Sequence, residues 1–235
     1  MKKRLKINGV IIVSAVILLL FFPSLFFRSV RVTPWDIAAK IVGLSAILLG
    51  QIFRASGRGY KSEHSQKGHS LIHNGPYGLV RNPMYLGILL IGTGIVLILF
   101  NWWIIFLFLP IFIWRYILLM FTEEKKLLTM FSGEYRDYQR KVPRILPSFA
   151  AISTKDIAGY LPLKVSWLKK EIGSMLAALC VVVGLEAWKD SRCDDVRIYI
   201  KDAMLFFAVI IIFVFLIRYL IRHTKNQQKY ASNKN

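Results

Sequence analysis

Two clusters of chemically capable residues interrupt an otherwise apolar chain. The first is His64–Tyr85, which reads HSQKGHSLIHNGPYGLVRNPMY. Asn82-Pro83 is a helix-start signal, because Asn can cap free backbone amides and Pro fits the first helical position. A helix N-terminus carries the positive end of the dipole and unpaired N–H groups, so it suits a carboxylate or a phosphate. Taken alone, an ordinary capped helix is the simpler account of these residues. Gly75-Pro76 is turn chemistry and forces a compact loop before Tyr77. Tyr77 and Tyr85 flank the helix start. Their ring faces suit a cation, worth roughly 0.5–2 kcal/mol depending on desolvation; interfacial anchoring is the plainer role for such tyrosines.

His64, His69 and His73 raise the question of a metal. His69 and His73 have the spacing of ligands on one helix turn, but the glycine and turn residues around them argue against a helix. No Cys joins them and only Glu63 is near. A zinc site needs three or four protein ligands, so no metal is expected.

The second cluster, EEKKLLTMFSGEYRDYQRKVPRILP, opens on Glu123-Glu124. Leu127, Phe131, Tyr135 and Tyr138 recur at helical spacing and predict one apolar-aromatic face. Pro143 ends that helix and Pro147 blocks a restart. Taken alone, the acidic pair reads as a solvated helix end paired with nearby lysines. Arg115 lies inside an apolar run. It is either a functional intramembrane charge or an arginine that snorkels to the nearby interface.

These clusters must be held by membrane helices. The 235 residues are 55% hydrophobic and 19% charged, with a mean hydropathy of +0.49. A soluble domain has about 45–50% apolar and about 25% charged residues. Disorder, collagen and a disulfide scaffold are excluded by composition. Six segments reach the roughly 17–25 apolar residues of a spanning helix: Val10–Phe27, Trp35–Phe53, Met84–Phe100, Trp102–Phe121, Ile172–Trp188 and Ala203–Ile221. The expected fold is all-α, a polytopic membrane protein. The third and fourth spans form a tight hairpin around Asn101. The fifth is short and carries Glu186. The first has a basic start but no small-x-small cleavage site, so it reads as a retained anchor rather than a cleaved signal.

The net charge is +19. With the N-terminus inside, 23 of the 32 Lys and Arg residues fall in cytoplasmic segments and six in outer loops. This asymmetry follows the positive-inside rule and places both termini in the cytoplasm. The charge therefore reads as topology and attraction to anionic membrane lipids. No aromatic-basic module accompanies it, so nucleic acid is not an expected partner. Cys180 and Cys193 lie at opposite depths and are not expected to pair. The polar tail from Lys225 to Asn235 is expected to be disordered.

Together the clusters resemble a known family. The first element is His69-x-Leu71-Ile72-x-x-Gly75-x-Tyr77-x-x-x-Arg81-Asn82-Pro83-x-Tyr85-x-Gly87. The second is Glu123-Glu124-x-x-Leu127 with Phe131, Tyr135, Tyr138 and Val142-Pro143. With a two-span hairpin between them, they are similar to the isoprenylcysteine carboxyl methyltransferases and their phospholipid methyltransferase relatives. The match covers roughly residues 35–150. It implies a membrane enzyme that uses S-adenosylmethionine and methylates a lipophilic acceptor entering from the bilayer. It implies cofactor contacts at His69, Ser70, Leu71, Ile72, Tyr77, Asn82, Pro83, Met84 and Tyr85. A further contact falls on Glu123, or on Glu124 one residue later.

Two positions depart from the pattern. Asn82 stands where the family has histidine, and Leu119 where it has an arginine associated with the methyl acceptor. Arg81 and Arg115 are the candidate catalytic residues. The resulting division is an anchor at 1–34, a methyltransferase core at 35–150, a two-helix extension at 151–221 and a polar cytoplasmic tail at 222–235. The extension has no counterpart in the resemblance. The alternative acceptors are a phospholipid or a small hydrophobic thiol or acid. The alternative class is a non-catalytic membrane protein whose extension docks a partner.

Overall fold

The computed structural model describes residues 21, 23–28, 33–65, 70–147, 157–190 and 196–232. The expected first span therefore lies largely outside the described residues, as do His69 and Cys193. The described chain is helical, as expected for the all-α class. Its helices are α1 (Pro23–Phe26), α2 (Pro34–His64), α3 (Pro76–Leu79), α4 (Pro83–Leu99), α5 (Ile104–Lys141), α6 (Ile157–Tyr160), α7 (Val165–Asp190) and α8 (Val196–Ser232). α2, α5 and the Ala203–Lys229 part of α8 are long and apolar enough to cross a membrane. α4 is apolar and shorter, at 17 residues. The expected fifth span falls inside α7. The tail expected to be disordered instead continues α8 to Ser232.

Local chemistry sets the helix ends. Thr33 and Asp36 cap α2 reciprocally, with Pro34 in its first turn. This capping box satisfies two orphan amides at once. The hairpin between α4 and α5 turns at Phe100–Trp103. The Asn101 side chain donates to the carbonyls of Leu25 (2.9 Å) and Phe27 (3.3 Å). Phe27 and Phe100 form an antiparallel bridge with stacked rings. The hairpin tip is thereby tied to the chain that precedes α2.

The tightest contact is between α2 and α4, which cross antiparallel on glycines. A Cβ at Gly50 would fall 2.5 Å from the Gly87 carbonyl oxygen, and one at Gly87 would fall 2.6 Å from that of Gly50. Gly43 and Gly94 repeat the arrangement, with a Cβ at Gly94 falling 2.3 Å from the Gly43 oxygen. The glycines recur every seven residues on both helices, so one seam carries them all. Small residues let helix backbones approach closely where lipid provides no hydrophobic drive for association.

α7 lies along α2 and is joined to it by polar pairs. Lys40 and Glu186 meet at 2.8 Å, both largely buried. Arg54 and Arg58 converge on Glu171, whose side chain is 2% exposed. Ser56 donates to the Pro162 carbonyl at 2.7 Å. Glu186, which makes the fifth span look insecure in sequence, has its partner inside α2.

Candidate functional site

The last two turns of α2 lead to the segment before α3. Residues 71–73 have no regular secondary structure, and Gly75, at a φ of 59°, turns the chain into α3. That turn needs a residue tolerant of positive φ. Arg81 and Asn82 then pass beside the end of α5. The Arg81 amide donates to the Pro143 carbonyl at 2.8 Å, and the Asn82 amide donates to that of Arg144 at 3.1 Å. The segment after α5 thus lies against the start of α4.

Asn82 does not cap α4 as expected. Its backbone sits at φ −127°, ψ 63°, and its side chain makes no capping bond. The side-chain amide donates instead to the Arg144 carbonyl at 3.2 Å. Pro83 occupies the first turn as predicted. Among the described residues, the α4 N-terminus therefore has no side-chain capping bond from its N-cap residue.

The acidic pair divides its work. Glu124 is buried and is not the solvated helix end expected from local sequence. Arg144 donates to both of its oxygens, at 3.1 Å and 2.8 Å, and Arg81 lies 3.0 Å from one of them. The Arg144 guanidinium also stacks over Phe121, 4.4 Å from the ring centre. Buried ion pairs of this kind are held by full partnering, since each charge alone would be costly. Glu123 is exposed and accepts a hydrogen bond from the Tyr85 hydroxyl at 2.9 Å.

Tyr138 donates to the Tyr77 carbonyl at 2.7 Å, fixing the loop to α5. Tyr77 donates to the Gly57 carbonyl at 3.4 Å. Burial, then the neighbouring Glu123 charge and Tyr85, push the Tyr77 phenol above its ordinary range. It stays a neutral hydroxyl. α5 is broken at Ser132, whose φ of 35° is outside helical space. Phe131 and Met130 precede the break, while Tyr135 and Tyr138 follow it.

These elements enclose a cavity of about 310 Å³. Ser70, Leu71, Ile72, Tyr77, Asn82, Pro83, Met84, Tyr85, Glu123 and Glu124, all named from the sequence, line it. Arg81 lines it as well, and its Nε is buried with no hydrogen-bond partner among the described residues. Leu127, Phe131, Tyr135 and Tyr138 complete the aromatic face. Arg115 does not take part; it is exposed on the outer face of α5. His73 is exposed and away from the cavity lining. Sequence reasoning missed Lys61, Ser65, Ile88 and Met130. Ile88 lies one turn after Met84 and Tyr85 on α4, a spacing that could have revealed it. Lys61 and Ser65 carry no comparable signal.

The comparisons follow this geometry. Residues 38–134 match the family model described as phospholipid methyltransferase. A stretch of 113 residues is 31% identical to the protein-S-isoprenylcysteine O-methyltransferase of Schizosaccharomyces pombe, covering 44% of this chain and 48% of that protein. Another, of 131 residues, is 28% identical to the protein of the same name from Saccharomyces cerevisiae, covering 51% and 54%. The chain spans about half the length of these curated relatives. No solved structure matches it. The family-model match runs from residue 38, within α2, to residue 134, within α5, so it includes α4 and both glutamates but stops before Tyr135 and Tyr138.

Proposed function

We propose that the protein is a membrane methyltransferase that takes S-adenosylmethionine in the 310 Å³ cavity and methylates a lipophilic acceptor. The observation that carries the reading is the convergence of 70–85 and 123–138 on one cavity, although a membrane hairpin separates them in sequence.

The chemistry of the donor set fits the cofactor. The α4 N-terminus, free of a side-chain cap, and the unpartnered Arg81 Nε suit its carboxylate. The rings of Tyr77 and Tyr85 suit its sulfonium. The exposed Glu123 carboxylate suits its ammonium or ribose hydroxyls. When bound, S-adenosylmethionine supplies an electrophilic methyl group. The protein's own contribution is to bind, orient and exclude water, since an in-line displacement depends on near-attack placement at roughly 3–3.5 Å. A carboxylate acceptor needs no base from the chain.

The acceptor approaches from the bilayer. Met84, Ile88, Leu127, Met130 and Phe131 give the cavity an apolar wall. Tyr85 packs on Tyr116, which stacks on Phe112, and Phe112 packs on Phe108. This run of rings leads from the cavity along α5 toward the hairpin. The names of the curated relatives favour a prenylated cysteine carboxylate as acceptor. Leu119, in place of the family arginine, is exposed on α5. With both termini cytoplasmic, the cavity opens to the compartment that holds the cofactor.

The test uses the full chain in lipid nanodiscs. Calorimetry with S-adenosylmethionine is expected to show one site. Radiolabelled methyl transfer is then measured to farnesyl-cysteine analogues and to a membrane lipid extract. No cofactor binding, together with no labelled product from either acceptor, rejects the reading. Label in phospholipid amine rather than in the prenyl-cysteine ester reassigns the acceptor.

A further inference from the structure

A second cavity, of about 260 Å³, lies across α2 from the first. The last turns of α2 are the wall between them. Lys61 and Ser65 face the first cavity, whereas Tyr60 and His64 face the second. The opposite side is built by the C-terminal extension, through Lys164 and Trp167 before and within α7 and His223 on α8. The family match ends at residue 134, so this site draws on chain outside it.

The chemistry of the lining is one-sided. Its basic side chains are Lys164, His64 and His223. Among the described residues no carboxylate lines it. Glu63 adjoins the lining, where it accepts from the Trp167 indole at 2.7 Å and pairs with Lys164, so part of that lysine's charge is already balanced. That contact holds Lys164 beside the Trp167 ring, 5.2 Å from its centre. Gln227 and Gln228 add amide donors at the rim, and the exposed Arg222, Lys225 and Lys229 surround it on α8.

The depth is equally informative. The apolar run of α8 ends at Ile221, and the next two turns supply the cavity. Tyr60 and Trp167 beside it are the residue types of a membrane–water boundary. The end of an apolar helix is the level expected for lipid headgroups, where each basic residue contributes about 1 kcal/mol of attraction to anionic lipid.

We propose that the second cavity binds a phosphate-bearing anion, supplied by the headgroup of an anionic membrane lipid. The bound group contacts the same two helical turns that wall the first cavity.

The experiment titrates the full chain, in neutral detergent, with dihexanoyl phosphatidylglycerol, dihexanoyl phosphatidylcholine and inorganic phosphate, read by thermophoresis. Phosphatidylglycerol is expected to bind saturably and about tenfold tighter than phosphatidylcholine, and the pair Lys164→Gln with His223→Gln to lose about thirtyfold, as expected for two basic contacts. Arg136→Gln with Arg140→Gln, exposed on the far end of α5, is expected to change affinity less than twofold. Gln227→Glu, an exposed rim change, is expected to weaken binding even if the double variant fails to fold. Inorganic phosphate binding with the same variant pattern identifies a free anion as the source. Equal binding of the two lipids, or an equal loss in the α5 control, overturns the proposal. None of these readouts involves methyl transfer, so its failure is separate from failure of the proposed activity.

Discussion

The Tyr85 hydroxyl donates to the Glu123 carboxylate at 2.9 Å, joining the first turn of α4 to the middle of α5 across 38 residues of sequence. Both residues line the first cavity, and the bond leaves Glu123 with accepting capacity toward a ligand. Glu123→Gln is expected to lower S-adenosylmethionine affinity about tenfold, the scale of one charge-assisted hydrogen bond. Because Glu123 is exposed, thermal unfolding should hardly move. Calorimetry beside a melting curve checks both, and unchanged affinity rejects the role.

Glu124 has the opposite profile. Its side chain is 6% exposed and that of Arg81 is 11% exposed. Glu124→Ala leaves Arg81 buried without its counter-charge, a change that costs about 3–5 kcal/mol. The variant is expected to unfold at clearly lower temperature or denaturant, whatever ligand is present. A melting profile like that of the parent protein contradicts the buried triad.

The glycine seam makes a graded prediction. Gly50→Ala and Gly94→Ala place a Cβ within 2.5 Å and 2.3 Å of a facing carbonyl, where neither backbone can yield cheaply. Both should separate α2 from α4 and reduce the yield of folded protein in detergent. Gly173→Ala, with nothing within 4 Å, should be neutral or stabilising by roughly 0.5–1 kcal/mol through helix propensity. Equal behaviour of the three variants removes the seam as an explanation.

The Lys40–Glu186 pair tests how α7 is attached. Lys40→Met alone removes the cation 2.8 Å from the buried Glu186 carboxylate and should destabilise the protein. Lys40→Met with Glu186→Leu should recover much of the loss, because replacing both partners by apolar groups removes the desolvation cost. Denaturation of the two single variants and the double variant gives the coupling directly.

Much of this was legible because it was local. Apolar runs found the helices, and the two motif clusters found the cavity wall. What escaped depends on residues that meet only in space. Glu124 resembles any acid beside lysines, yet its partners are Arg81 and Arg144, 43 residues before it and 20 after. Asn82 has the identity of a cap, but the approach of the Arg144 carbonyl redirects its amide. The polar composition of 225–232 hid a helix that continues from an apolar one. The seven-residue spacing of Gly43, Gly50 and Gly57 was visible and is the signal that would have paired α2 with α4.

The contrast between the glycine seam and α5 has a consequence for how such a protein diversifies. α2 and α4 touch backbone to backbone, so almost any change along their seam is penalised. α5 presents Phe106, Ile111, Trp114 and Leu118 outward, exposed rather than packed in the core. Variation can accumulate there without disturbing the half that carries the α4 N-terminus. One half acts as a fixed chassis, and the other as an exchangeable face on which a lineage can revise its choice of lipid.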